Sequence, residues 1–111
     1  MIETIIKHHL DAQLEEQVFL EKPSPSFGDY VVLEKISSSK SNCLLSSTFA
    51  FQSYGHSLYA AAELNERVKE AVESLIELND IASVRLNSDY NYTNTETKEY
   101  RYQAVYDLKH Y

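Results

Sequence analysis

The chain has 111 residues, of which 43% are hydrophobic and 24% charged, with two glycines and two prolines. This balance predicts one folded domain of ordinary size rather than a disordered chain. The formal net charge of -7 argues against a protein that grips nucleic acid through a basic surface. Cys43 is the only cysteine, which excludes an internal disulfide and a zinc site built from several thiolates.

The sequence carries no targeting signal that we recognise. No apolar run approaches the roughly 18 to 20 residues that span a bilayer, and the N-terminal residues lack the apolar stretch and cleavage site of a signal peptide. We therefore expect a protein that is made in a reducing cytoplasm and does not bind membranes.

The first half of the chain reads as one helix followed by strands. Apolar residues recur at three- and four-residue intervals, which predicts an amphipathic helix over residues 2–16. A short strand at residues 18–20 precedes a loop at residues 22–29 that contains both prolines. Residues 30–36 are typical of a covered strand, and the serines that follow, at 37–41, predict a connection or a frayed strand end. Residues 43–54 predict a long strand with one apolar face.

The second half reads as a helix followed by a hairpin. Ser57 is a candidate N-cap for a helix over residues 58–78. The last third then alternates with period two on either side of a polar turn at residues 93–97, which predicts a hairpin whose tyrosines stack in two columns on one face. One parity comprises Ala82, Val84, Leu86, Tyr90 and Tyr92, and the other comprises Tyr100, Tyr102, Ala104, Tyr106 and Leu108.

The order of these elements, α-β-β-β-α-β-β, predicts an α+β two-layer sandwich. We expect a mainly antiparallel sheet of four to five strands with two helices on one face, all within a single domain over residues 1–111. Each helix carries a net charge of -3, which is typical of a solvated face. The other face of the sheet would be uncovered and would carry part of the tyrosine set, so we expect it to need a partner.

The order of elements and several strings resemble the tail-completion, or tail-terminator, proteins of long-tailed bacteriophages and prophages. This family includes proteins described as head-tail joining or minor capsid proteins. The strings are VFLEKP at 18–23, YVVLE at 30–34, the Ala/Glu/Leu-rich segment at 59–78 and the closing strand at 100–108. The resemblance covers nearly the whole chain.

The resemblance implies a non-enzymatic structural protein of the virion, located at the head-tail interface. Its copies would form a ring, expected to be a hexamer, that caps the tail tube. Before assembly the isolated chain could be a monomer. Its implied partners are itself, the tail tube protein and the head connector or stopper protein. No cofactor, sequence-specific nucleic acid or membrane is implied.

Two polar segments are candidate docking surfaces, because polar turns project from a rigid sheet. One is the proline loop and the other is the end of the final hairpin. The candidate residues are Pro23, Pro25, Phe27, Asp29, Tyr90, Tyr92, Asn94, Glu96, Lys98, Tyr100 and Tyr102. The alternative is a small protein-binding adaptor or regulatory domain that uses its open sheet face.

The candidate catalytic and metal-binding residues form weak patterns. His8 and His9 are adjacent on a helix and point about 100° apart, which makes them a poor pair of metal ligands. His56 and Ser57, with Asp107 or Asp80, lack the glycine pattern of a nucleophile elbow. We therefore predict no enzymatic activity, no metal and no cofactor.

Overall fold

The computed structural model describes residues 2–23, 28–41 and 44–111. Its helices are α1 (Ile2–Gln13) and α2 (Leu58–Glu73), and a 3₁₀ turn (Ser74–Glu77) follows α2. The strands are β1 (Gln17–Phe19), β2 (Tyr30–Ser41), β3 (Leu44–Gly55), β4 (Ile81–Asn91) and β5 (Tyr100–His110). They form one sheet in the order β1-β2-β3-β5-β4, in which only β1 and β2 are parallel. This confirms the predicted α+β class, the order of elements and a sheet of five strands.

Both helices are shorter than the apolar periodicity predicts. Helix α1 ends at Gln13, and the side chain of Glu16 instead pairs with Arg67 of α2. Helix α2 begins as predicted, with the Ser57 hydroxyl accepting from the Ala60 N–H at 3.1 Å. It gives way to the 3₁₀ turn at Ser74, whose hydroxyl donates to the Ala71 carbonyl at 2.7 Å. A side chain that competes for a helical carbonyl accompanies this change of winding.

The serine-rich segment after residue 36 belongs to β2, so the prediction of a connection or frayed end was wrong. Ser38 pairs with Ser47 and Ser39 with Ser46 along β3, beyond a register shift at Ile36. Backbone hydrogen bonds hold this part of the strand, and they do not require apolar side chains. Residues 42–43, with the predicted strand start at Cys43, lie outside the described residues.

The core lies between the helices and one face of the sheet. The side chains of Phe51 and Tyr106 are almost fully buried, and their rings meet edge to face with centroids 5.9 Å apart. Residues from α1 and α2 cover them, including Ile6, Leu10, Leu64, Val68 and Val72. In the described part of the chain, neither helix is long and apolar enough to cross a membrane.

A bidentate ion pair ties the segment after α1 to α2. The two guanidinium nitrogens of Arg67 donate to the two carboxylate oxygens of Glu16 at 2.7 and 2.9 Å. The hydrogen bonds from Arg67 hold the pKa of Glu16 below its ordinary value. The ionised form of Glu16 therefore stabilises the folded state, and this stabilisation is lost as the pH falls through the folded-state pKa.

We expect Glu16→Gln to lower the free energy of unfolding by about 0.5 to 1 kcal/mol at about pH 7. The deficit should shrink as the pH falls from the unfolded pKa of Glu16 through its lower folded-state pKa, because the unfolded chain is protonated first and the native carboxylate only at the lower pH. Urea denaturation of both proteins from about pH 7 to about pH 3.5 measures this difference in the free energy of unfolding. Glu15→Gln makes the same charge change at an exposed neighbour, so an equal loss in both variants would contradict the assigned role.

Candidate docking surfaces

The face of the sheet opposite the helices carries a buried aromatic cluster at one end. Tyr30 of β2 stacks on Tyr54 of β3 with ring centroids 4.6 Å apart, and Phe19 of β1 meets Tyr30 edge to face at 5.9 Å. Arg101 donates to the Tyr54 hydroxyl at 3.0 Å. Burial raises the pKa of Tyr30 to about 12. The cluster therefore stabilises the sheet, and sequence analysis did not identify it.

The predicted single face of tyrosines on the hairpin was wrong. Strand β4 has register shifts between Ile81 and Ser83 and between Leu86 and Ser88. Leu86 consequently pairs with Tyr106 on the helix side, whereas Tyr90 pairs with Gln103 on the open side. An extra residue in one strand transfers all later side chains to the other face. The open face receives Tyr90 and Tyr92, and the helix side receives Tyr100 and Tyr102.

Tyr90 and Tyr92 form a solvent-accessible aromatic pair on the open face. They are 41% and 43% exposed, and their rings meet edge to face at 5.9 Å. The Arg101 guanidinium lies 4.4 Å from the Tyr92 ring centroid, and the Gln103 side chain donates to the Tyr90 hydroxyl. These contacts fix the rings before any partner binds, which lowers the entropy cost of association. Both residues are suited to docking.

The hairpin turn is organised by Asn94. Its side-chain oxygen accepts from the backbone N–H groups of Glu96 and Thr97 at 3.1 and 3.4 Å, and its backbone bridges Glu99. Asn94 is therefore a turn-forming residue rather than a free docking group. Glu96 and Lys98 are exposed at the tip, and Lys98 has a left-handed backbone with φ of 55°.

The proline loop is described only at its ends. Pro25 and Phe27 lie outside the described residues, and Pro23 is half-buried. The Asp29 carboxylate accepts from the His56 backbone N–H at 2.9 Å and lies 3.1 Å from its ring Nδ1. Asp29 thus anchors the end of the loop to the turn before α2.

The two predicted docking segments meet at one end of the sheet. Lys22, the first residue of the loop, forms an ion pair with Glu99 beside the hairpin turn. Its ammonium also lies 5.7 Å from the Tyr54 ring centroid. A cleft of about 180 Å³ lies between Gly28 and Lys98. The two segments are about 70 residues apart in the sequence, and nothing in their spacing predicts this contact.

Tyr102 lies on the helix side, in a different surface. With Tyr59, Glu63, Glu66 and Asp89 it lines a cavity of about 340 Å³ between α2 and the hairpin. Lys69 bridges Asp89 at 2.6 Å and Glu66 at 2.9 Å. These two hydrogen-bonded carboxylates raise the pKa of Lys69. Tyr102 therefore belongs to an acidic flank of α2 that sequence analysis did not connect with the hairpin.

The candidate catalytic residues His56, Ser57 and Asp107 do not contact one another as a catalytic triad would. His56 contacts Asp29, and Ser57 caps α2. Asp107 accepts from Thr48 at 2.7 Å and from Asn87 at 3.1 Å, and these bonds lower its pKa.

A buried pair, Ser47 and His110, lies 2.9 Å apart. No hydrogen-bonded carboxylate completes it into a triad within the described residues. In that same part of the chain, no three His, Cys, Asp or Glu side chains are grouped as metal ligands.

No protein-family model matches the chain, and no curated protein matches its sequence. Function is therefore inferred from the surfaces described above and from the resemblance in the order of elements.

Proposed function

We propose that this chain is a ring-forming tail-completion, or tail-terminator, subunit of a long-tailed phage or prophage. The observation that supports it best is a sheet with two unlike free edges. Strand β4 is an edge strand of the sheet, so its outer edge has no strand beside it among the described residues. Strand β1 pairs with β2 only at Tyr30, Val31 and Val32, and no other strand of residues 2–23, 28–41 and 44–111 pairs with the outer edge of residues 33–41.

Two unlike edges on opposite sides of one subunit favour head-to-tail association. Each copy offers its β4 edge to one neighbour and its β2 edge to the other, which is a heterologous interface. Such an interface forms a closed ring when successive rotations add up to a full turn. Exposed strand edges are otherwise an aggregation hazard, so closure of a ring also removes that hazard.

The shape of the subunit gives such a ring two different rims. The described residues extend 44 × 25 × 23 Å, and the hairpin turn lies at the same end as the start of the proline loop. That end, with the nearby Tyr90 and Tyr92, provides a docking rim for the head connector or the tail tube. The net charge of -7 disfavours retention of the DNA that passes through the ring.

Deletion of the gene in its phage or prophage tests the proposal. We expect separate heads and tails, visible by electron microscopy, and we expect the purified chain to restore joined particles when it is added to the lysate. Joined virions at normal yield in the deletion would overturn the proposal.

Shortening the hairpin turn tests the docking rim separately from ring formation. Residues 94–99 would be replaced by a two-residue Asn-Gly turn, which preserves the hairpin. We expect rings with an unchanged number of copies whose joining activity falls at least about tenfold. Normal joining by this variant would contradict a docking role for the turn.

The adaptor alternative has one observation in its favour. Tyr90 and Tyr92 are exposed on the open face of a single copy, so a partner can reach them without assembly of an oligomeric ring. An adaptor would bind its partner as a monomer. Joined virions in the gene deletion, together with a chain that stays monomeric, would therefore favour this alternative.

A further inference from the structure

Two lysines of β2 and two carboxylates near the outer edge of β4, Glu73 at the end of α2 and Asp80 just before β4, lie along the same two rows of paired residues. We infer that copies in the proposed ring join by antiparallel pairing of β4 with residues 33–41 of the next copy's β2. In this register Lys35 lies beside Leu86 and Glu73 of its neighbour, and Lys40 lies beside Asp80. The inference rests on the proposed ring and names its interface.

The direction of pairing follows from the topology. Strands β2 and β3, β3 and β5, and β5 and β4 are each antiparallel, so β4 runs antiparallel to β2 within one copy. When two copies lie side by side with their helices on the same side of the joined sheet, β4 of one copy and β2 of the next therefore meet as an antiparallel pair. Antiparallel pairs bring directly opposed side chains on the same face to within about 5.5 Å between Cβ atoms.

The register follows from two rows of paired residues that cross the sheet. In the first row, Lys35 pairs with Phe49, Phe49 with Tyr106, and Tyr106 with Leu86. Leu86 ends this row at the free edge and is 47% exposed. A copy added without a shift along the strands continues the row with its own Lys35, which covers Leu86.

Glu73 lies over the same row. Its carboxylate accepts from the Tyr106 hydroxyl at 2.7 Å, and the residue is exposed on α2. The lysine stem of the neighbour packs over Leu86, and its ammonium reaches the carboxylate beyond, as long charged side chains do on apolar surfaces.

The second row gives the same register. Lys40 pairs with Leu45, Leu45 with His110, and His110 with Ile81. Asp80 immediately precedes Ile81 and is exposed. The next copy's Lys40 continues this row and lies beside Asp80. Two independent rows therefore each place a lysine next to a carboxylate.

The faces of the side chains agree with this arrangement. The register shift at Ile36 keeps both lysines on the helix side, since their partners Phe49 and Leu45 share that face of β3. Neither Lys35 nor Lys40 forms a salt bridge within residues 2–23, 28–41 and 44–111, and both are exposed. Opposite charges that meet at an interface fix its register and disfavour other alignments.

The extent of β1 sets where the pairing stops. Because β1 covers Tyr30, Val31 and Val32, the incoming strand pairs with β2 only from Leu33 onward. Leu33 lies in the row of Phe51, Ala104 and Asp89, two residues before the end of β4. The free parts of both edges therefore coincide in the unshifted register.

Disulfide trapping tests the register directly. In a Cys43→Ser background, Lys35→Cys combined with Leu86→Cys places two thiols opposite each other across the interface. The matched control combines Lys35→Cys with Arg85→Cys, because Arg85 pairs with Asp107 on the open face. Under mild oxidation we expect the 35/86 variant to form disulfide-linked multimers at least about tenfold faster than the 35/85 variant. Equal rates, or faster linking of 35/85, would overturn the inference.

Charge reversal in the 35/86 variant tests the second row. We expect Asp80→Lys and Lys40→Glu each to slow trapping by about fivefold or more, and the two together to restore most of the rate. Glu70→Lys makes the same charge change on the exposed side of α2 and should leave the rate within about twofold. Equal slowing by Glu70→Lys, or no recovery in the double variant, would show that total charge rather than this register controls association.

Failure of the register is distinguishable from failure of the proposed function. The Cys43→Ser parent is analysed in parallel by light scattering for ring formation. A ring-forming parent with no preference for 35/86 over 35/85 overturns only the register. A parent that stays monomeric, together with normal head-tail joining after gene deletion, overturns the ring itself.

Discussion

Replacing Gly55 by alanine is expected to cost more than about 3 kcal/mol of folding free energy, enough to unfold much of a marginally stable domain. A Cβ atom at this position would lie 2.4 Å from the backbone nitrogen of Ala61 and 2.9 Å from its Cα. These atoms belong to the first turn of α2, which cannot move aside as a flexible side chain can. The chain needs a glycine here because β3 ends directly against the helix that follows it.

Gly28→Ala is the matched control. Gly28 has a left-handed backbone with φ of 51°, but an added Cβ would meet no atom within 4 Å among the described residues. Its expected cost is about 1 to 2 kcal/mol, from backbone conformation alone. Urea denaturation of both variants compares the steric cost with the conformational one. A Gly55→Ala variant that is as stable as Gly28→Ala would contradict the close approach of α2 to β3.

Phe51→Ala is expected to destabilise the protein by about 3 to 5 kcal/mol. The Phe51 side chain is fully buried, at 6.4 Å from the ring of Phe49 and 5.9 Å from that of Tyr106. Its removal leaves a cavity beneath α2 and takes away both aromatic contacts. Thermal and urea unfolding measure the loss.

Leu45→Ala provides the control on the same strand. Leu45 shares the helix-facing side of β3 with Phe51 but is 37% exposed, because it lies near the end of the strand. We expect its truncation to cost less than about 1.5 kcal/mol in the isolated chain. Similar losses at the two positions would contradict the burial of Phe51 in the core and the position of Leu45 at its exposed margin.

The order of elements was predictable because each element has a local signature. The apolar stripe of α1, the Ser57 cap of α2 and the alternation of β5 are all readable from neighbouring residues. The class of fold follows, since two amphipathic helices and a sheet have few ways to bury their apolar faces.

The faces of β4 were not predictable in the same way. The bulge at Asn87 leaves the alternating pattern in the sequence intact while reversing which residues face the helices. Only the pairing with β5 shows where the extra residue lies, and such pairing is a long-range property. The serine segment of β2 was missed for a related reason, because its strand state depends on the backbone of β3.

Some of the candidate docking residues are accessible to a partner and others hold turns in place, and the difference has a physical cause. Tyr90 and Tyr92 were chosen because they lie beside the polar turn of the hairpin, and both are accessible. Asn94 and Asp29 were chosen as polar loop residues, yet both hold turns in place. Sequence alone does not distinguish a polar side chain that binds its own backbone from one that is free for a partner. The contacts of Lys22 with Glu99 and Tyr54 were equally hidden.

The mass of the purified chain in solution tests the ring most directly. Light scattering coupled to size-exclusion chromatography, from about 10 μM to about 1 mM, should show a transition from the 12.8 kDa monomer to one closed species. For six copies the expected mass is about 77 kDa, and the species should not grow further, because a closed ring leaves no free edge. Open-ended growth without a defined mass would contradict the proposal, and so would a constant mass of 12.8 kDa across this range together with normal head-tail joining after deletion of the gene.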